Sequence, residues 1–210
     1  MKLVLLGAPG AGKGTQAEIL REKLRVPAIS TGNMLREAVR NGTLVDQRAK
    51  TLMDAGELVP DDVIIEIVQA RLSNDDCKRG YIFDGIPRTV TQAIMLEEHE
   101  IGVDVVLSIE ISDEEIEKRM VGRRSCPTCG AVYHVEFNPP KSEGVCDVCG
   151  KALIIRKDDE PQTVRNRLRN YHRATEPLKE FYKERGKLKT VDNIPGVEET
   201  TAVILKALGI

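Results

Sequence analysis

An α/β fold with a central five-stranded parallel sheet flanked by helices is predicted by three observations. Short apolar runs alternate with helix-like patterns along most of the chain. The first run, Leu3-Val4-Leu5-Leu6, passes directly into Gly7-Ala8-Pro9-Gly10-Ala11-Gly12-Lys13-Gly14-Thr15. The segment after that loop, Gln16–Leu24, spaces its apolar residues as a helix does. Strand, glycine loop and helix follow one another in the order in which G-x-x-x-x-G-K marks a phosphate-binding loop, so the predicted class is a P-loop α/β fold.

The elements are justified in turn. Lys2–Leu6, Ala28–Ser30, Tyr81–Phe83, Val103–Ile111 and Lys189–Val191 read as strands. Asn33–Arg40 and Leu44–Ala55 read as helices, the second stopped by Gly56. Asp61 or Asp62 caps a helix running to Leu72, and Ser112-Asp113-Glu114-Glu115 is a capping box that opens a helix through Arg119. Pro161 suits a helix start, and Gln162–Arg185 is helical in pattern with a break near Pro177. Val197–Leu208 is amphipathic and helical. Two segments fail the alternation and read as insertions: Thr31–Val59, two helices with no strand between, and Gly122–Asp159, where turn residues and cysteines replace any period. The predicted division is a core of residues 1–29, 60–121 and 160–210, a helical flap of 30–59 and a cysteine-bearing lobe of 122–159.

Composition narrows the function classes. With 210 residues, 41% hydrophobic and 30% charged, the chain is ordinary for a soluble globular protein. No stretch approaches the roughly 20 apolar residues that span a bilayer. The N-terminal run ends in the phosphate loop rather than a cleavage site, so it does not read as a signal peptide, and the expected address is the cytoplasm. A net charge of −2 speaks against a dedicated nucleic-acid binder. From Arg119 to Arg173, however, eleven Lys/Arg face six Asp/Glu. A locally basic stretch in a near-neutral protein suits a compact polyanion.

In the glycine loop, backbone N–H groups turn inward toward phosphate oxygens, the next helix adds its positive N-terminus, and Lys13 supplies a point charge. The residue after the lysine is Gly14 where the general pattern has a Mg²⁺-binding Ser or Thr, with Thr15 one place later. The metal must then be held elsewhere. Asp84, at the C-terminal end of a strand in Tyr81-Ile82-Phe83-Asp84-Gly85-Ile86-Pro87-Arg88, is placed to hold a hydrated Mg²⁺, with Arg88 reaching a second phosphate. Arginines recur at Arg36, Arg88, Arg119, Arg123, Arg124, Arg156, Arg165 and Arg167. Their forks suit phosphate, and together they read as an electrostatic cage for a transferring phosphoryl group.

Four of the five cysteines form Cys126-x₂-Cys129 and Cys146-x₂-Cys149, sixteen residues apart, each pair followed by glycine. The spacing matches a closed Cys₄ zinc site of structural type. Two disulfides and a zinc-ribbon nucleic-acid module are the competing readings of the cluster alone. His134 is a spare metal donor, and Cys77 is left over as a partly buried thiol. A lobe of this size builds little core of its own, so a metal staple would let it move as one body.

Taken together, the Gly-Lys-Gly-Thr form of the loop, Asp84-Gly85-Ile86-Pro87-Arg88, Arg119-x₃-Arg123, Arg156-Lys157-Asp158-Asp159 and the helix bearing Arg167 resemble the adenylate kinase family over essentially the whole chain. The four cysteines make it similar to the long-lid, zinc-bearing bacterial type. The resemblance implies Mg·ATP + AMP ⇌ 2 ADP, serving adenine nucleotide balance, in a monomer with structural Zn²⁺ and with Mg²⁺ brought by ATP. Gly10, Ala11, Gly12, Lys13, Gly14 and Thr15 would bind ATP phosphates. Arg119 would lie against the ATP adenine, helped by Val132 and Tyr133, with Pro195 adding a backbone contact. Thr31, Arg36, Glu57, Leu58, Val59, Gly85, Ile86, Pro87, Arg88 and Gln92 would form the AMP pocket, Thr31 and Gln92 on the adenine side. Arg123, Arg156 and Arg167 would converge on the transferring phosphate, Arg156 and Arg167 also reaching AMP. Asp158 and Asp159 would fix the lid arginines. Lys13, Asp84, Arg88, Arg123, Arg156 and Arg167 would carry catalysis, and 30–59 and 122–159 would be the AMP-binding flap and the lid. The alternatives are a kinase for UMP, CMP or GMP, a zinc-ribbon nucleic-acid-binding ATPase, or a non-catalytic nucleotide sensor. Aromatic content of 3% with no tryptophan weighs against the zinc-ribbon reading.

Overall fold

The computed structural model describes residues 1–41, 46–194 and 196–210. Its centre is β1 (Lys2–Leu6), flanked on one side by β3 (Tyr81–Asp84) and then β2 (Ala28–Ser30), and on the other by β4 (Val105–Glu110) and then β7 (Leu188–Asp192). Every neighbour pair is parallel, and Leu5 stands beside Asp84 on one side and Leu107 on the other. The strands match the predicted runs, with Asp84 included in β3, the fourth trimmed to Val105–Glu110 and the last extended to Leu188–Asp192.

β1 is apolar at successive positions because both faces of the sheet are covered. Leu3 and Leu5 point into a cluster with Leu20 of α1 (Lys13–Leu24) and Ile204 and Leu208 of α9 (Val197–Leu208). Val4 and Leu6 point the other way, against α4 (Asp61–Leu72), α5 (Val90–Glu98) and α8 (Leu178–Glu184). Helix α5 has no counterpart among the predicted elements. It is nine residues long and is capped by Thr89 Oγ1, which accepts from Gln92 N at 3.0 Å.

Among the described residues, helices α2 (Thr31–Asn41) and α3 (Asp46–Ala55), and no strand, lie between β2 and α4, as expected. The expected start of the second at Leu44 lies outside the described residues. Ser112 caps α6 (Asp113–Gly122) by accepting from Glu115 N, which is half of the predicted box. The long helix expected over Gln162–Arg185 is three pieces. α7 (Pro161–Asn170) passes into a π turn over Tyr171–Thr175 before α8. The break falls ahead of Pro177 because a proline ring displaces the carbonyl four residues back, here Arg173. The ladder widens instead, with Glu176 N donating to Tyr171 O at 2.9 Å.

Residues 122–159 contain a small antiparallel pair that the sequence reading lacked, β5 (Arg123–Ser125) and β6 (Val132–His134). Each cysteine pair closes the same turn. Cys126 N and Cys146 N donate to Ala131 O and Lys151 O, while Gly130 N and Gly150 N donate back to Cys126 O and Cys146 O. Gly130 and Gly150 sit at φ 80° and 69°, where a side chain would strain the turn, which explains the glycine after each pair.

Candidate active site

The loops after β1 and β3 open at the C-terminal edge of the sheet, where ligands of open α/β folds gather. Gly10 and Gly12 have φ of 85° and 88°, and the curl they permit brings Ala11 N onto Ala8 O at 3.1 Å. Lys13 folds back over the loop, donating to Gly7 O and Ala8 O at 2.7 and 2.8 Å. Burial pulls this ammonium down to about 8; Asp84 opposes the shift, while Arg88, Arg167 and Arg123 add to it. Asp84 Oδ2 lies 3.5 Å from the point where a side chain at Gly14 would begin. The acid that the sequence supplies away from the loop is therefore beside the helix start after all. That is where a cation partnered with loop-bound phosphates needs an oxygen ligand.

One cleft is lined by Lys13, Thr31, Arg36, Leu58, Val59, Gly85, Pro87, Arg88, Gln92, Asp158 and Arg167, together with Glu57. Gly85, at φ 88°, is required: a Cβ would meet Thr31 Oγ1 and Arg88 Nη2 at 2.9 Å. Thr31 Oγ1 and Arg88 Nε both donate to Gly85 O at 2.9 Å. Gln92 accepts from Arg88 N at 2.6 Å and donates to Asp61 Oδ1 at 2.8 Å, which leaves one N–H and one lone pair of its amide uncommitted. Ile86 does not line the cleft; its side chain is fully buried in the core, so only its backbone is available. Glu57 is turned away from the pocket's chemistry. Its carboxylate accepts from Asn166 and Asn170 at 2.8 and 3.0 Å, and the same two amides donate to Ala55 O and Gly56 O. The Asn166 bond is the main reason the carboxyl is held below its ordinary value.

The arginines crowd. Arg123 grips the buried Asp159 with both Nε and Nη2. Arg167 donates to Asp158 Oδ2 at 2.8 Å and stands 3.5 Å from Asp159 Oδ1. Burial, then Arg156, pulls Arg36 down to about 9; burial, eased by Asp158 and reinforced by Arg123, pulls Arg167 to about 10. Arg88 and Arg156 are pulled down too, chiefly by burial. Asp158 goes below the usual carboxylate range because Arg167, Arg123 and Arg156 outweigh its burial. A cluster in which cations depress one another is one built for a polyanion.

Arg119 stands at the far end, bonded to Glu115 Oε1 at 3.3 Å and Asn193 Oδ1 at 3.0 Å, with the Phe137 ring 5.6 Å from its guanidinium. Val132 is exposed, but the Tyr133 ring is buried with the cysteines: its hydroxyl lies 3.5 Å from Cys146 Sγ and accepts from Asp147 N at 2.9 Å. Pro195 lies outside the described residues. Asp61, expected as a possible helix cap, is instead the first residue of α4 behind Pro60 and serves Gln92, and sequence reading missed Asn166, Asn170 and Asn193, whose partners are distant in the chain.

The four cysteines come together as one group, with all Sγ atoms within 4.8 Å of one another. Cys126–Cys149 and Cys129–Cys146 are 3.4 and 3.5 Å apart. That is far beyond a disulfide bond of about 2.05 Å. It is near the sulfur spacing of about 3.8 Å that a tetrahedron with Zn–S bonds of about 2.3 Å requires. The residues fit a Cys₄ metal site. His134 is no part of it: its Nδ1 accepts from Glu136 N and Phe137 N. Cys77 is more buried than expected and takes a bond from Arg71 Nη1 at 3.0 Å.

A lysine-bearing glycine loop at the sheet edge, an acid beside it and a converging arginine set define a P-loop phosphoryl-transfer protein. The family model described as adenylate kinase matches residues 5–187. Among curated relatives, the adenylate kinases of Caldicellulosiruptor saccharolyticus and Ruminiclostridium cellulolyticum are 52% and 51% identical over the full length of both chains. That of Acetivibrio thermocellus is 50% identical over 99% of this chain and 98% of its own. The chain belongs to the adenylate kinase family, and its reaction is the reversible transfer of a phosphoryl group from Mg·ATP to AMP, giving two ADP. Neither a kinase for other monophosphates nor a zinc-ribbon ATPase is favoured.

Proposed function

We propose that the cleft beneath Thr31 and Gln92 is the AMP pocket and that Gly10–Thr15 with Arg119 form the ATP site, the two nucleotides meeting at the arginine cluster. The observation that carries this is the cluster itself: Lys13, Arg36, Arg88 and Arg167 line one cleft, Arg123 and Arg167 meet at Asp159, and Arg156 and Arg123 lie near enough to pull Arg36 down. Such a group is costly until phosphates neutralise it. Arg88 would hold the AMP phosphate and, with Arg123 and Arg167, meet the group in transit, where charge spreads over equatorial oxygens. Lys13 would leave its loop carbonyls for the β- and γ-phosphates. Asp84 would orient the waters of a Mg²⁺ ion carried by ATP, which supplies charge neutralisation between those phosphates. Asp158 and Asp159 would keep Arg167 and Arg123 aimed while the site is empty of phosphate.

Gln92 would read the adenine edge with the N–H and lone pair it has free, and Glu57, Leu58, Val59 and Ile86 would act through backbone and apolar contact. Tyr133, its ring committed to the cysteine group, would support the ATP base through its backbone beside Val132. Residues 30–59 and 122–159 would be covers that exclude water until both nucleotides are present, limiting wasteful hydrolysis. Cys126, Cys129, Cys146 and Cys149 would hold Zn²⁺, making the second cover rigid. We place the enzyme in the cytoplasm as a monomer acting on ATP, AMP and ADP, with no nucleic-acid or membrane partner; among the described residues no helix is long and apolar enough to cross a bilayer.

The test is ³¹P NMR with Mg·ATP and each of AMP, GMP, CMP, UMP and dTMP in turn. ADP formation with AMP alone supports the pocket assignment. Equal turnover of another monophosphate overturns the roles of Thr31 and Gln92.

A further inference from the structure

We infer that Asn193 is a positioning residue for the donor nucleotide, tying the phosphate loop and Arg119 into one fixed frame; this rests on Arg119 serving the ATP base as proposed above. Asn193 directly follows β7, and its backbone N–H extends the sheet ladder by donating to Glu110 O at 2.8 Å. The root of the side chain is therefore fixed by the sheet and not by a loop. From there the amide works in two directions. Nδ2 donates to Ala11 O at 2.9 Å, and Oδ1 accepts from Arg119 Nη1 at 3.0 Å.

The first bond sets the loop. A trans peptide points its C=O and the next N–H to opposite sides. With the Ala11 carbonyl bonded to Asn193, the Gly12 N–H points to the opposite side, which suits a donor meant for a phosphate oxygen. The amide also lies against the glycine itself: a Cβ on Gly12 would come within 3.3 Å of Nδ2. The second bond sets the base end. Arg119 is held at Nε by Glu115 and at Nη1 by Asn193, so its plane is fixed at two corners beside the Phe137 ring. One side chain thereby fixes the distance between the part of the site that grips phosphates and the part that faces the base.

The experiment is steady-state kinetics on the full-length enzyme, varying ATP at saturating AMP and the reverse, for the unaltered chain, Asn193→Ala, Asn193→Asp and Arg119→Ala, with GTP as a second donor. Asn193→Ala is expected to raise the KM for ATP about tenfold, the scale of losing a bond to a charged group, and to leave the KM for AMP unchanged. It should also narrow the preference for ATP over GTP. Asn193→Asp keeps the acceptor for Arg119 but sets a carboxylate oxygen against Ala11 O. It should raise the KM for ATP while retaining the preference for ATP. A KM for ATP within twofold of the unaltered enzyme in Asn193→Ala, when Arg119→Ala raises it, overturns the inference alone. Parallel rises in both KM values with a lowered melting temperature also overturn it, as the mark of a merely structural residue. No change in Arg119→Ala overturns the donor-site assignment and this inference with it.

Discussion

Replacing Arg88 by alanine separates fold from catalysis, because the backbone of Arg88 is held without its guanidinium. Its N–H donates to Gln92 Oε1 at 2.6 Å and its carbonyl accepts from Thr175 Oγ1 at 2.7 Å, so the turn after β3 keeps both anchors. What is lost inside the protein is the bond from Nε to Gly85 O at 2.9 Å, worth about 1.5 kcal/mol for a charged donor. Set against it is relief of crowding, since Arg88 is one of the cations that push Lys13 down. The net change in stability is expected to be under about 1 kcal/mol, a shift of at most about 4 °C in melting for a chain of this size. The loss in rate is of another order. A guanidinium that stabilises a transferring phosphoryl group is worth about 10³-fold or more in turnover. The assay is ADP production at saturating Mg·ATP and AMP beside a calorimetric melt of the same sample. Arg88→Lys, which keeps charge but loses the fork, should fall between. Turnover within about tenfold of the unaltered enzyme, with a native melt, would refute the placement of Arg88 at the reacting phosphates.

Three further outcomes are expected. Lys13 is pulled down to about 8 by burial, so phosphates that neutralise its surroundings should restore its proton. ATP binding should then take up a proton above about pH 8, read as an enthalpy that differs between buffers, and affinity should weaken as pH rises past that value. The unfolded lysine holds its proton up to about 10.4, so between these values the unfolded state binds more protons and this group's contribution to stability rises with pH. Removing metal with a chelator should unfold residues 122–159 first, lowering the melting temperature and exposing Cys126 and Cys146 to thiol reagents, and added Zn²⁺ should reverse both changes. Asn170→Ala strips a bond from Glu57 and one from Gly56 O; a loss of about 1–2 kcal/mol in stability and a raised KM for AMP are expected, from chemical denaturation and initial rates.

What the sequence could tell follows the range of the interactions. β1, the glycine loop and α1 are contiguous, and the loop chemistry is spelled in nine neighbouring residues, Gly7 to Thr15. The cysteine turns are equally local, since each is a ring closed over a few residues with glycine at the strained corner. Helix α5 was hidden because its stabilisation comes from burying Ala93 and Leu96 against strands and helices elsewhere, not from its own short pattern. The asparagines were hidden for a sharper reason. Asn166, Asn170 and Asn193 find these partners 74 to 182 residues away, and an asparagine on a polar helix face or after a strand carries no signal of that. Glu57 shows the converse: its position in the pocket was legible, and the two amides that occupy its carboxylate were not.

The way Lys13 rests has a consequence for turnover. An ammonium with no partner would cling to any phosphate that reached it, and products would leave slowly. Here the cation has a berth of its own on the carbonyls of Gly7 and Ala8. With Lys13 in its proposed role, arrival of a nucleotide would exchange one set of oxygens for another, and departure would reverse the exchange without stranding a charge. In that role the loop would suit traffic in both directions, as a reversible transfer requires.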